Sequence, residues 1–477
     1  MFPRCPVLGL FLVVGLAASA QTVLSESEYD QRKTAGTLPD HPVLVADMAK
    51  KSLKPAHPGA PKGGGGPCGC WVQPDASYTL AMVANDDLFS AAIPLPFTFT
   101  LFGDQYTELY INNNGNLSFI DPYSTFSSNS FPSADYRMVA PFWADVDTRD
   151  TTLGAGSNEV WYKVTPTAIY VNWVNVGYYN SMSDKLNTFQ VIITDGTDPV
   201  VPGGNNVSFC YLDMQWTTGA ASQGVNGFGG ISATVGVNRG DGISHAQVGR
   251  FALNDSSYGG PYADTSGISW LDSTHFYLNT TNAGVPPIIG SGFACDSIVV
   301  QVNSSSSHQM VVIAGAPGQA VNCTSVCPGI ASYQQVPTVP GEQTNVVFNL
   351  TPDASEVGQH LITFTAINDD VVPLTSTYQV LVEVVPALST GLGDAGAEVF
   401  TIAPNPSVDQ SIITLAPGSD IRTMRFFDAQ GRRVLDLPVQ AGSDRLVVDL
   451  APLAKGPYLV VAEGPGQRAA QRVVVSR

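Results

Sequence analysis

Leu109-Tyr110-Ile111-Asn112-Asn113-Asn114-Gly115-Asn116-Leu117-Ser118-Phe119-Ile120 is the stretch that decides the fold class. Two apolar runs flank a polar segment whose Asn-Gly pair accepts the positive φ angles of a tight turn, so it reads as a β-hairpin. The same texture continues outward. Ile169, Val171 and Trp173 alternate with Tyr170, Asn172 and Val174, the two-residue period of a strand with one more apolar face. Residues 189–194, 207–212 and 231–237 add strands separated by Gly-rich turns. All 6 Trp residues fall between positions 68 and 283, which places the largest core there, with Trp161, Trp173 and Trp216 inside it.

Composition supports sheets joined by turns. The chain holds 46 Gly and 34 Pro, and charged residues make up only 13 % of it. A length of 477 residues implies about three or four modules rather than one core. The net charge of −18 is unevenly spread, with no Lys or Arg from Phe251 through Ile421. Such a surface repels phosphate and argues against nucleic acid as a partner, while it suits calcium, basic partners or solubility outside a cell.

At the N-terminus, Arg4 precedes an apolar run over residues 7–16 and the small residues Ala18, Ser19 and Ala20. That order predicts a signal peptide over residues 1–20, and the run is too short to span a bilayer. The mature chain is therefore expected to carry no transmembrane segment. Cys68, Cys70, Cys210, Cys295, Cys323 and Cys327 then remain, an even set compatible with disulfides of undetermined pairing. The one-residue spacer of Cys68-Gly69-Cys70 fits neither zinc nor thioredoxin-type spacing.

The polar, Lys- and Pro-rich residues 21–67 read as a flexible N-terminal segment, with a hint of order only at 43–48. Residues 68–283 form the aromatic-rich β domain. A second module spans 285–386, where Tyr378, Val380, Val382 and Val384 share one face of a strand and the length suits an immunoglobulin-sized sandwich. Residues 387–397 read as a linker, and 398–477 repeat the β texture in miniature.

The pattern offers few chemical centres. If residues 139–148 end in a strand, Asp145 and Asp147 share a face and could hold calcium with Asp150; the other reading is a solvated or hydrogen-bonded acidic face. Tyr178, Tyr179, Tyr258 and Tyr262 sit beside Gly and Asn in expected loops, either as rings for a sugar or protein ligand or as cover for the core. No H-E-x-x-H, G-x-S-x-G or P-loop pattern is present, so the chain reads as a non-enzyme.

Two stretches resemble known families. Pro404-Asn405-Pro406, then Asp428-Ala429-Gln430-Gly431-Arg432-Arg433-Val434, then Gly456-Pro457-Tyr458-Leu459-Val460, resembles the type A sorting domain of the type IX secretion system of the Bacteroidetes. The resemblance implies a small β-sandwich read by the outer-membrane export machinery through Pro404, Asn405, Pro406, Gly431, Gly456 and Tyr458. In some members it also implies removal on attachment to surface lipopolysaccharide. Leu95-Pro96-Phe97-Thr98-Phe99, the 111–119 hairpin and Val139-Ala140-Pro141-Phe142-Trp143-Ala144-Asp145-Val146-Asp147-Thr148 resemble the nidogen-type extracellular domain, a family associated with matrix and adhesion. The middle module is more distantly similar to cadherin-like and other immunoglobulin-like repeats.

The expectation is an all-β, multidomain chain: a nidogen-like β domain, an immunoglobulin-like β-sandwich and a small C-terminal β-sandwich. Its expected place is outside the cell or on the outer surface, reached through the periplasm. Its expected role is adhesion or binding of an extracellular glycan or protein. The alternatives are an exported polysaccharide hydrolase, with Asp145 and Asp147 as its acids, and a structural component of an extracellular matrix.

Overall fold

A computed structural model of the protein describes residues 22–38, 43–45, 70–291 apart from 155, 293, 296–386, and 399–476 apart from 441 and 466. The expected leader, the 387–397 linker, Cys68 and Cys295 lie outside the described residues. The chain is all-β and multidomain, as its patterning predicts.

The hairpin expected around Asn114-Gly115 forms between Asp104–Asn112 and Asn116–Ser118, closing on the pair Asn112 and Asn116. Gly115 has a φ of 75°. A Cβ there would lie 1.8 Å from the Phe142 carbonyl oxygen, so both the backbone angle and the close approach demand glycine. The hairpin belongs to a seven-stranded sheet that runs from Ile93–Leu101 through Met138–Trp143, Ala233–Asn238 and His245–Leu253 to Ser266–Gly267.

A second sheet packs against the first. Ala168–Tyr178 pairs with Met182–Thr194 and Glu159–Val164, and Val207–Met214 and His275–Leu278 follow on the other side of Met182–Thr194. The space between the sheets is filled by Phe99, Leu109, Ile111, Phe142, Trp173, Phe189, Phe209 and Trp216, all fully buried. Trp173 and Phe189 stack at 5.0 Å, and Trp161, Trp173 and Trp216 are all interior as expected. Aromatic area on this scale supplies most of the hydrophobic drive for the domain.

The second sheet does not stop at residue 284, where composition suggests a boundary. His275–Leu278 pairs with Ile288–Ser291, which pairs with Ser306–Ile313, which pairs with Gln343–Leu350. A four-stranded sheet of Ser297–Gln301, Thr375–Val385, Gly358–Asn368 and Val321–Val326 covers this far end. Between them lie Val346, Phe348, Ile362, Phe364, Val380 and Val382. Two sandwiches thus share one hydrogen-bonded sheet, and a backbone ladder rather than a tether joins them.

The last unit is a sandwich of its own. A three-stranded sheet (Phe400–Ala403, Gln410–Leu415, Arg445–Asp449) faces a four-stranded one (Arg433–Pro438, Thr423–Phe427, Gly456–Gly464, Gln467–Val475) across Ile413, Met424, Phe426, Val460 and Val473. Cys70 and Cys210 form a disulfide, and Cys323 and Cys327 are buried thiols, the former with its pKa pushed up to about 12 by burial.

Candidate functional site

The segment that reads as flexible is in part docked structure. Thr22–Leu24 and Val43–Val45 pair in parallel around a helix, Glu26–Thr34. Ser25 caps the helix by accepting from the Glu28 amide, with Glu26 and Glu28 in its first turn and Arg32 and Lys33 in its last, each sign at the favourable end of the helix dipole. The helix has no apolar stripe to advertise burial. Among its residues only Tyr29 and Lys33 are buried, and both face the first sandwich.

Lys33 is 2 % exposed and inserts its ammonium among three carboxylates. Nζ lies 2.6 Å from Asp86, 2.9 Å from Asp87 and 2.7 Å from Asp145. The rings of Phe126 and Tyr179 flank the charge, with centroids 4.2 Å and 4.4 Å away. Asn113 and Asn114, from the turn of the opening hairpin, build the floor. Asn113 donates to the carbonyls of Asp86 and Val146, while Asn114 donates to Asp87 at 2.8 Å and accepts from the Val146 amide at 3.0 Å. The Tyr29 hydroxyl donates to Asp87 at 2.5 Å.

Arg149 forms a second charge centre beside the first. Its Nε and Nη2 grip Asp147 at 2.9 and 2.6 Å, and Nη1 reaches Asp30 of the helix at 2.9 Å. The Ser181 amide also donates to Asp147, at 2.7 Å. Tyr179 spans both centres: its hydroxyl contacts Thr34 and the Asp30 carbonyl, and its ring faces both cations.

Burial sets the electrostatics. It raises the Asp145 carboxyl to about 7 even though Lys33 pulls the other way, and it raises Asp86 well above the carboxylate range with help from Asp87. Burial works against the charge on Lys33, but Asp145, Asp86 and Asp87 together outweigh it and hold the amine protonated. Burial likewise opposes the Arg149 charge and is overcome by Asp147.

The residues singled out in the sequence are placed differently from the expectation. The strand breaks after Trp143, so Asp145 and Asp147 turn to separate partners, Lys33 and Arg149. Asp150 is apart from both, bonded to Ser183 and to the Thr152 amide. The trio Asp145, Asp147 and Asp150 therefore does not converge; the carboxylates that do are Asp86, Asp87 and Asp145, with one oxygen from each within 4.8 Å of the others. Tyr178 donates to Asp184 at 2.8 Å and packs on Trp216, and Tyr179 is 1 % exposed. Tyr258 lies flat on Trp270 at 3.8 Å with its hydroxyl on the Val248 carbonyl. Tyr262 is half-buried beside His245. Tyr178 and Tyr179 are buried, and Tyr258 and Tyr262 are half-buried. Sequence reasoning missed Lys33, Asp86, Asp87 and Arg149; the adjacent pair in Asn85-Asp86-Asp87 was the available signal.

In the C-terminal sandwich, Asn405 donates to the Arg472 carbonyl and accepts from the Val474 amide, tying the Pro404–Pro406 turn to the last strand. Gly431 occupies a turn with φ 77°, Gly456 opens Gly456–Gly464, and the Tyr458 hydroxyl donates to the Ala454 carbonyl.

Family comparison finds a nidogen-like domain over residues 107–284 and a secretion system C-terminal sorting domain over residues 401–476. Alpha-tectorin of Gallus gallus is 35 % identical over 180 residues, which is 33 % of this chain and 8 % of the tectorin. Nidogen of Drosophila melanogaster is 25 % identical over 269 residues, 51 % of this chain and 18 % of that protein. Among solved structures, a tandem pair of titin immunoglobulin domains covers 38 % of this chain and 91 % of that one at 11 % identity, with a TM-score of 0.14.

Replacing Lys33 by Met leaves three buried carboxylates without their cation. The expected cost is about 3–5 kcal/mol in chemical denaturation of the full chain, and a loss below about 1 kcal/mol would contradict the buried pairing. The pH dependence has a definite sign. Because burial raises the Asp145 carboxyl to about 7, the folded state holds a proton there that the unfolded chain releases near pH 4, so its contribution to stability is full below that value and is lost as pH rises through about 7; Asp86, also raised by burial, acts in the same direction. The melting temperature should therefore climb from pH 8 to pH 6, and Asp145→Asn should flatten the climb; an unchanged slope would refute the assignment.

Proposed function

We propose that this chain, which carries a nidogen-like domain and a secretion-system C-terminal sorting domain, is an adhesion or ligand-binding protein displayed outside the cell. The observation that carries the reading is the union of these two domains in one chain. The sorting domain points to export through the type IX machinery, and the nidogen-like domain points to an extracellular protein. Among the described residues, no helix is long and apolar enough to cross a membrane. Retention at the surface would then fall to the sorting domain and a surface lipopolysaccharide anchor. The ladder joining the two sandwiches suits a rigid presenter, since it fixes the nidogen-like surface relative to the unit that precedes the sorting domain.

The hydrolase alternative loses support at the site. A glycosidase needs two carboxyl groups facing a cleft at a controlled separation, whereas Asp145 and Asp147 are both fully buried and engaged by Lys33 and Arg149. A structural role in a matrix is a neighbouring possibility that the same test separates. Deleting residues 398–477 should trap the protein in the periplasm, and the purified full chain should bind an extracellular glycan or matrix protein saturably without turning it over. Surface display of the truncated chain, or turnover of a polysaccharide, would overturn the proposal.

A further inference from the structure

We propose that the Asp86–Asp87–Asp145 pocket is a calcium site for which the Lys33 ammonium is a built-in and exchangeable occupant, so that ion binding and docking of the N-terminal helix exclude one another. The claim does not depend on the adhesion reading. Four observations meet at the pocket.

The first is geometric. One oxygen from each carboxylate lies within 4.8 Å of the other two, a spacing that lets a single ion touch all three at the ~2.3–2.6 Å typical of calcium. The second is that a cation already sits at the focus, with Lys33 Nζ within 2.9 Å of each group. The third is what the ammonium leaves unmet. Asp86 Oδ1 and Asp145 Oδ2, on side chains buried to 99 %, have no hydrogen-bond partner among the described residues, and neither has Asn113 Oδ1 on the pocket floor. An ammonium has three protons and one charge to give; calcium accepts six to eight oxygens and brings two charges. Among the described residues, the carboxyl groups of Asp30, Asp86, Asp87, Asp145 and Asp147 have Lys33 and Arg149 as their ion-pair partners, and calcium would bring two charges to the focus where Lys33 brings one.

The fourth observation concerns the occupant. Its helix is nine residues long and polar, and its apolar footing is a small cluster of Leu24, Tyr29, Val43 and Tyr179 with Leu38, Val45 and Ala221 packed against it. What holds it is mainly charge, and an ion of higher charge at the same focus competes for those contacts. Asp86, Asp87 and Asp145 are held independently of the helix, from below by Asn113 and Asn114 and by the Tyr179 amide on the Asp145 carbonyl.

Terbium serves as a luminescent calcium probe, with the Tyr179 ring 4.4 Å from the Lys33 nitrogen as its sensitiser. In the full chain, Lys33→Met should give a saturable signal that calcium displaces, with affinity at least tenfold above wild type. Lys33→Met combined with Asp145→Asn should lose it. No saturable signal in a folded Lys33→Met chain, or equal affinity in both, would overturn the proposal. Wild type provides an independent reading should the variant fail to fold: millimolar calcium, but not sodium at matched ionic strength, should speed tryptic cleavage after Arg32 and Lys33. Cleavage indifferent to calcium would reject the exchange.

Discussion

A lysine ammonium, taken out of water and held by three carboxylates, organises this nidogen-like domain at its polar centre. Neither side of that contact is stable alone: three buried carboxylates repel, and a buried ammonium without partners gives up its proton. The asparagines of the opening hairpin exist in this geometry to serve it. Asn113 fixes the backbone of Asp86 and Val146, and Asn114 holds Asp87, so the turn that closes the first hairpin also shapes the charged pocket. Gly115 lets that turn approach Phe142, which in turn packs in the aromatic core. Sheet, turn and charge are thus one construction.

Much of the sheet structure was legible because strand period and turn chemistry are local. The hairpin around Asn114-Gly115, the strand carrying Ile169, Val171 and Trp173, and the Tyr378–Val384 face all follow from alternation. The sheet shared by two sandwiches was not, since it depends on two four-residue strands, His275–Leu278 and Ile288–Ser291, separated by Pro286 and Pro287. Strand pairing across such a gap is a tertiary fact, and composition placed a boundary there instead.

The charged site was legible only in fragments. Asp145 stood out beside Asp147, but alternation assumed an unbroken strand, and the bend at Ala144 sends the two carboxylates to different cations. Lys33 was invisible because a polar helix with a basic last turn looks like any solvated helix. Its burial is decided by carboxylates 53 and 112 residues away in sequence, which no local pattern encodes. Three of the loop tyrosines are placed by the converse effect: the rings and hydroxyls of Tyr178, Tyr179 and Tyr258 each found a partner within the fold, which their Gly- and Asn-rich context does not encode.

The N-terminal helix is docked through Lys33, and hydrogen–deuterium exchange on the calcium-free full chain measures that docking. The amides of residues 29–34 should exchange far more slowly than an unfolded segment allows, on the scale of neighbouring strands rather than of a frayed end. Exchange of those amides at the rate of an open coil would mean that the helix is undocked, with Lys33 in water and the three carboxylates without their partner.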